Sequence, residues 1–176
     1  MTLNDLKVRL IDKPIFGVSS TYGYMLSFEI GMPKLIINER KSTHRLFRKM
    51  NQYVYNQKYY DTYLRGEVTF FTDKYWTLKR GKKTICDAYH EHSEIETVLS
   101  FLLDGHSIID ISISRTKKRY VSILFSNGLV LRTKGNKKDN VVFSPDRKNT
   151  FEISPALGYR YYKNNEAYNA KWYSYK

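Results

Sequence analysis

Tyr24, Leu26, Phe28 and Ile30 alternate with Met25, Ser27 and Glu29, a period of two that predicts a half-buried strand over 22–30. Gly31-Met32-Pro33 interrupts the run and Lys34 to Asn38 resumes it, so these two segments are expected to form an antiparallel hairpin. The same period recurs over 66–72, over 74–80 and at Thr84-Ile85-Cys86, with Arg80-Gly81-Lys82 as the tip between the last two. A period near 3.6 replaces it only once with clear boundaries. Ser93 and Glu96 have the spacing of a capping box, Ile95, Val98, Leu99 and Leu102 form one apolar stripe, and Gly105 supplies the left-handed stop. A helix is therefore expected over about 93–104.

Alternation then returns. Ile109, Ile111 and Ile113 oppose Asp110, Ser112 and Ser114. Tyr120 to Phe125 and Leu129 to Thr133 flank Ser126-Asn127-Gly128, where Asn-Gly favours a type I′ turn. Val141 to Ser144 and Thr150 to Ile153 flank a Pro-Asp-rich turn. Strands joined by short turns, with few helices among them, predict an α+β fold on an antiparallel sheet of many short strands rather than a doubly wound parallel sheet. The whole of 1–176 is expected to be one domain. Residues 41–64 stand apart as a basic, Tyr-rich insertion with a second helix at about 43–56, and 159–176 as an aromatic strand or arm.

An aromatic share of 15% argues against disorder, and Cys86, the sole cysteine, rules out a disulfide scaffold. No run approaches the roughly 18 apolar residues of a membrane span. Met1 to Leu6 lacks the basic and apolar regions of a signal peptide. A cytoplasmic protein without a membrane partner is the expectation.

Charge changes the picture more. The net charge is +13, divided unevenly along the chain. Residues 41–83 carry a net +8 and 115–148 another +8, whereas 84–114 carry −6 with no Lys or Arg. Such a field raises the encounter rate with polyanions and acidic protein surfaces. It also serves solubility alone, and a single run of lysines in a turn usually marks only a solvated surface. Candidate contact residues are Arg45, Arg48 and Lys49 beside Tyr53, Tyr59 and Tyr60, then Lys79, Arg80, Lys82 and Lys83 on one hairpin tip, and Arg115, Lys117, Lys118 and Arg119 on another. Cations that replace phosphate counterions and aromatic faces that stack on bases are both present.

Gly23 to Ile37, Arg65-Gly66-Glu67, Trp76-Thr77-Leu78, Leu103-Asp104-Gly105-His106, Phe125 to Leu129 and Phe143-Ser144-Pro145-Asp146 follow one another in an order that resembles a class of small bacterial proteins. Some of these look like toxin-immunity proteins, which bind and block a cognate toxin. The resemblance spans about 22–153, and the basic stretch 41–64 departs from it. It implies a binding protein rather than an enzyme.

Catalytic patterns are thin. His90 and His92 share one side of an extended segment, and His106 is an added candidate metal ligand, but H-E-x-x-H spacing is absent and the first two precede a helix start, where solvated polar residues are ordinary. Cys86 in a strand reads as a small buried hydrophobe. Glu94 and Glu96 are accounted for by the helix N-terminus. There is no phosphate-binding glycine loop and no nucleophile elbow. No cofactor is expected. The function expected from sequence is a non-catalytic inhibitor-type protein occluding an acidic surface on a protein partner, and the alternative is a nucleic-acid-binding protein of phage or mobile-element type.

Overall fold

The computed structural model describes residues 2–21, 25–41, 58–72, 75–89, 92–114, 120–134, 141–144, 149–154, 157–163, 166–167 and 170–174. Its strands are mostly antiparallel and fall into three groups. The first is a six-stranded sheet in the order β1 (Ile15–Thr21), β2 (Met25–Ile30), β5 (Val68–Thr72), β11 (Val141–Ser144), β12 (Asn149–Ser154) and β13 (Gly158–Lys163). The second runs β7 (Lys83–Asp87), β6 (Trp76–Arg80), β10 (Leu129–Lys134), β9 (Tyr120–Phe125), β8 (Ile108–Ile113). The third is an isolated pair, β3 (Lys34–Lys41) with β4 (Lys58–Arg65). Two helices, α1 (Leu3–Leu10) and α2 (His92–Leu103), complete the α+β arrangement.

Period-two alternation explains the core. Phe28, Phe70, Phe143 and Phe151 stand in one cross-strand rung of the six-stranded sheet, each directly opposite the next. Phe28 and Phe70 stack with centroids 4.2 Å apart. Phe125 of β9 reaches Phe28 edge-on at 6.1 Å, so the two large sheets meet face to face through aromatic contact. Trp76, Leu78, Val121, Ile123 and Leu131 fill the facing side, all fully buried. Cys86 lies among them, and burial first, then Asp87, pushes its thiol up to about 11.

The two sheets are also tied at one corner. Pro14 bridges Ser107, Ile11 bridges Ile108, and the Ser126 amide donates to the Ser107 carbonyl. The open edge of β1 is covered by the end of α2. Ile15 exchanges backbone hydrogen bonds with Gly105 and His106, Ser100 donates to the Val18 carbonyl, and Asp104 accepts from the Val18 amide. Burial pushes the Asp104 carboxyl up, against the lowering effect of that amide.

Several sequence expectations are corrected in detail. β2 and β3 do not form a hairpin: β2 lies between β1 and β5, and β3 pairs with β4. The amides of Gly66 and Glu67 already occupy Glu29 and the Ile30 carbonyl at the end of β2, which turns β3 outward. On α2, Ile95, Leu99 and Leu103 are the buried stripe, while Val98 is exposed; the helix begins at His92, one residue ahead of its expected cap. In β8 a bulge between Ile108 and Asp110 turns Ile109 outward and buries Ile108 with Ile111. In the turn 126–128 only Gly128 has positive φ, so the loop is a three-residue turn ending in a glycine bulge and not type I′. The Asn127 side chain is taken up instead by the Leu102 carbonyl and the Leu129 amide.

Helix α1 was not expected. It is short, but Thr2 and Asp5 form a capping box and Leu6 and Leu10 are buried. The expected helix at 43–56 lies outside the described residues. Of the tail, 158–163 is β13, the edge strand paired with β12, and Tyr173 bridges back to Tyr159.

Candidate functional site

The β3–β4 ribbon leaves the body between two strands that are themselves neighbours, β2 and β5. Its register is unbroken from Lys34 opposite Arg65 to Lys41 opposite Lys58. At about 3.3 Å per residue the eight-residue strands extend roughly 26 Å. Leu35 faces Leu64 and Ile37 faces Thr62, so one side of the ribbon is aliphatic. That side is uncovered: Leu35, Ile37 and Leu64 are 62%, 60% and 56% exposed, and Met32 at the root is exposed as well. Ile36 and Tyr63 share the other side, where the Asn38 amide meets the Tyr63 hydroxyl.

A two-stranded ribbon alone is marginal in water, so its root has to be held. A Cβ on Gly66 would lie 2.5 Å from the Ile30 carbonyl oxygen, an approach open only to glycine. Glu29 accepts from the Gly66 amide and the Thr69 hydroxyl. Glu67 pairs with Lys13 at 3.1 Å and accepts from the Met32 amide; the Lys13 bond first and the Met32 amide second hold its carboxyl below the ordinary value. The Gly31 amide donates to the Pro14 carbonyl, which links the ribbon to the corner joining the sheets.

The registers sort the sequence candidates by position. Tyr59 and Tyr60 are on β4, opposite Arg40 and Glu39 in the distal half of the ribbon. Arg45, Arg48, Lys49 and Tyr53 belong to 42–57, which joins the distal ends of β3 and β4 and lies outside the described residues. Arg80 is opposite Leu129, which puts the Lys79–Lys83 tip at the same end of its sheet as the turn 126–128. Through Ser126, Ser107 and Pro14 that end adjoins the ribbon root. The backbone at Tyr120 is opposite Lys134, at the other end of that sheet. Arg115, Lys117, Lys118 and Arg119 themselves lie outside the described residues. Of the described positions, the Lys79–Lys83 tip of the first basic block thus lies at the ribbon end, whereas Tyr120 and Lys134 of the second stand at the far end of the five-stranded sheet.

His106 is half-buried with its Nδ1 3.3 Å from the Ser126 hydroxyl, and His92 opens α2; His90 is outside the described residues. Among the described residues no three His, Cys, Asp or Glu side chains gather as metal ligands would. No helix of the described residues is long and apolar enough to cross a membrane. The aliphatic side of the ribbon escaped sequence reasoning because Leu35, Ile37 and Leu64 look like ordinary strand core, and only the folded structure shows them exposed. Compared with family models, curated proteins and solved structures, the chain finds no match.

Proposed function

We propose that this chain is a single-domain, cytoplasmic, non-catalytic binding protein of inhibitor type that applies its ribbon end to an acidic surface on a protein partner. One observation carries the reading: an anchored ribbon holds an aliphatic face, Leu35, Ile37 and Leu64, clear of the body, and the chain of that ribbon runs into the +8 block 41–83. Contiguous exposed apolar surface marks an interaction site, and aliphatic side chains have no counterpart on a phosphate backbone. The basic residues steer the encounter and the apolar strip supplies contact that persists after docking. Tyrosine and arginine suit the same surface because each brings large contact area with a directed polar group.

The test is capture of partners by the tagged chain from its native host, with and without nuclease, beside a Leu35→Ser/Ile37→Ser/Leu64→Ser variant. A single protein retained in near-equal amount despite nuclease, and lost with the variant, is the expected result. Binding that vanishes with nuclease favours the second reading, a nucleic-acid-binding ribbon, whose support is the basic, Tyr-rich stretch 41–64. In that case the logarithm of affinity for random DNA falls steeply with the logarithm of salt, and Arg45→Ala/Arg48→Ala/Lys49→Ala weakens it.

A further inference from the structure

The outer face of the five-stranded sheet holds a second arrangement that neither the ribbon nor the core uses. Ser112, Ser122 and Arg132 stand directly opposite one another on β8, β9 and β10, a single rung of two hydroxyls and a guanidinium. With strands about 4.8 Å apart, the three side chains span roughly 10 Å. They line a shallow, open depression of about 360 Å³, together with Tyr120, Leu124 and Asp110. The Arg132 guanidinium lies over the Tyr120 ring, its Cζ 4.9 Å from the centroid. Its Nε is buried and meets no acceptor among the described residues. A buried N–H without an acceptor is rare in folded proteins and calls for an explanation. Asp110 is already engaged, its Oδ1 2.9 Å from the Lys7 ammonium, so the carboxylate in the site is countered by a fixed cation.

We propose that this site binds the phosphate group of a small organic phosphate monoester, with Arg132 as the fork, Ser112 and Ser122 as hydroxyl donors, and Tyr120 and Leu124 as the wall for the organic part. A phosphate presents three terminal oxygens, which match donors on three strands; a carboxylate presents two. Arginine suits planar, two-point recognition of such oxygens, and a site of this volume suits a small molecule rather than a polymer. The inference concerns a face other than the ribbon and stands whether or not the ribbon binds a protein.

The experiment is a titration of the isotope-labelled full chain with phenyl phosphate, inorganic phosphate and phenylacetate, at constant ionic strength, followed by amide resonances. Saturable shifts at Ser112, Ser122 and Arg132, strongest for phenyl phosphate, are expected. Arg132→Lys keeps the charge and loses the fork, and is expected to weaken binding about tenfold or more. Lys82→Gln/Lys83→Gln at the β6–β7 tip is expected to leave it within about twofold, since exposed turn charges contribute little to a bound complex. Ser112→Ala/Ser122→Ala gives the same comparison if Arg132→Lys does not fold. Binding equal in wild type and both site variants, shifts confined to the basic turns, or equal affinity for phenylacetate would each overturn the proposal.

Discussion

Two carboxylates respond to folding in opposite senses. Glu67 at the ribbon root is held below its ordinary value of 4.5 by Lys13 and the Met32 amide, whereas burial raises Asp104, beneath the open edge of β1, above 3.8. A lowered carboxyl adds stability that is present above the unfolded value and is lost as pH falls through the folded value. A raised one does the reverse: its ionisation opposes folding, so the cost is present at neutral pH and disappears on the acid side. Glu67→Gln is therefore expected to flatten the loss of thermal stability between about pH 5 and 3, and Asp104→Asn to raise the melting temperature at neutral pH with no gain below about pH 3. Melting curves across that range check both. An unchanged acid limb in Glu67→Gln would mean that the Lys13 pair contributes nothing. At this scale much was readable from the chain. Cys86 was expected as a buried hydrophobe and is one. The engagement of Asn127 with Leu102 was not, because it depends on a helix twenty-five residues away in sequence lying beside the turn.

At the scale of elements, period and turn chemistry placed most strands and the helix α2, because each is a local property of a few residues. Pairing was less legible. The expected β2–β3 hairpin fails because two short breaks, 31–33 and 66–67, allow β3 and β4 to leave as a unit while β2 and β5 close behind them. Nothing in the alternation of either strand distinguishes the two outcomes. The C-terminal segment offers a sharper case of a long-range tie. Arg160 on β13 donates to Glu152 on β12 at 2.6 Å and to the Ala167 carbonyl at 2.8 Å, and its guanidinium lies 4.5 Å from the Trp172 ring centroid. The Glu152 side chain is 7% exposed. Removing the guanidinium takes the Arg160 cation from a largely buried carboxylate and its contact from Trp172, and breaking such a pair typically costs about 3–5 kcal/mol. Arg160→Met is expected to lower the unfolding free energy obtained from urea melts by that order, shifting the midpoint down, and to expose the segment after Lys163 to limited proteolysis. A variant with wild-type midpoint and cleavage pattern would show that β13 is held by its backbone ladder alone.

Over the whole molecule, the sequence displayed the alternation of charge but not its disposition in space. The blocks 41–83 and 115–148 have the same net +8, and only the strand registers show which end of the five-stranded sheet each one's described residues occupy. Arg80 opposite Leu129 sends the Lys79–Lys83 tip toward the ribbon root, and the Tyr120–Lys134 pair stands at the opposite end of the same sheet. Five residue steps along β10 separate these levels, about 16 Å, which exceeds the Debye length of about 8 Å at physiological salt. Under the proposed reading, charges at the two ends are expected to act on an encounter independently. If the ribbon end makes the contact, neutralising Lys79, Arg80, Lys82 and Lys83 to Gln slows association with the captured protein by about an order of magnitude at low salt and leaves dissociation nearly unchanged. The same change at Arg115, Lys117, Lys118 and Arg119 leaves both rates as they were. Raising salt removes the difference between the first variant and wild type, because screening abolishes what the mutation had already taken away. Stopped-flow association across a salt series resolves the two ends. Equal slowing by both variants would assign the steering to net charge alone and detach the ribbon from the encounter, leaving the aliphatic strip to be judged solely by dissociation rates.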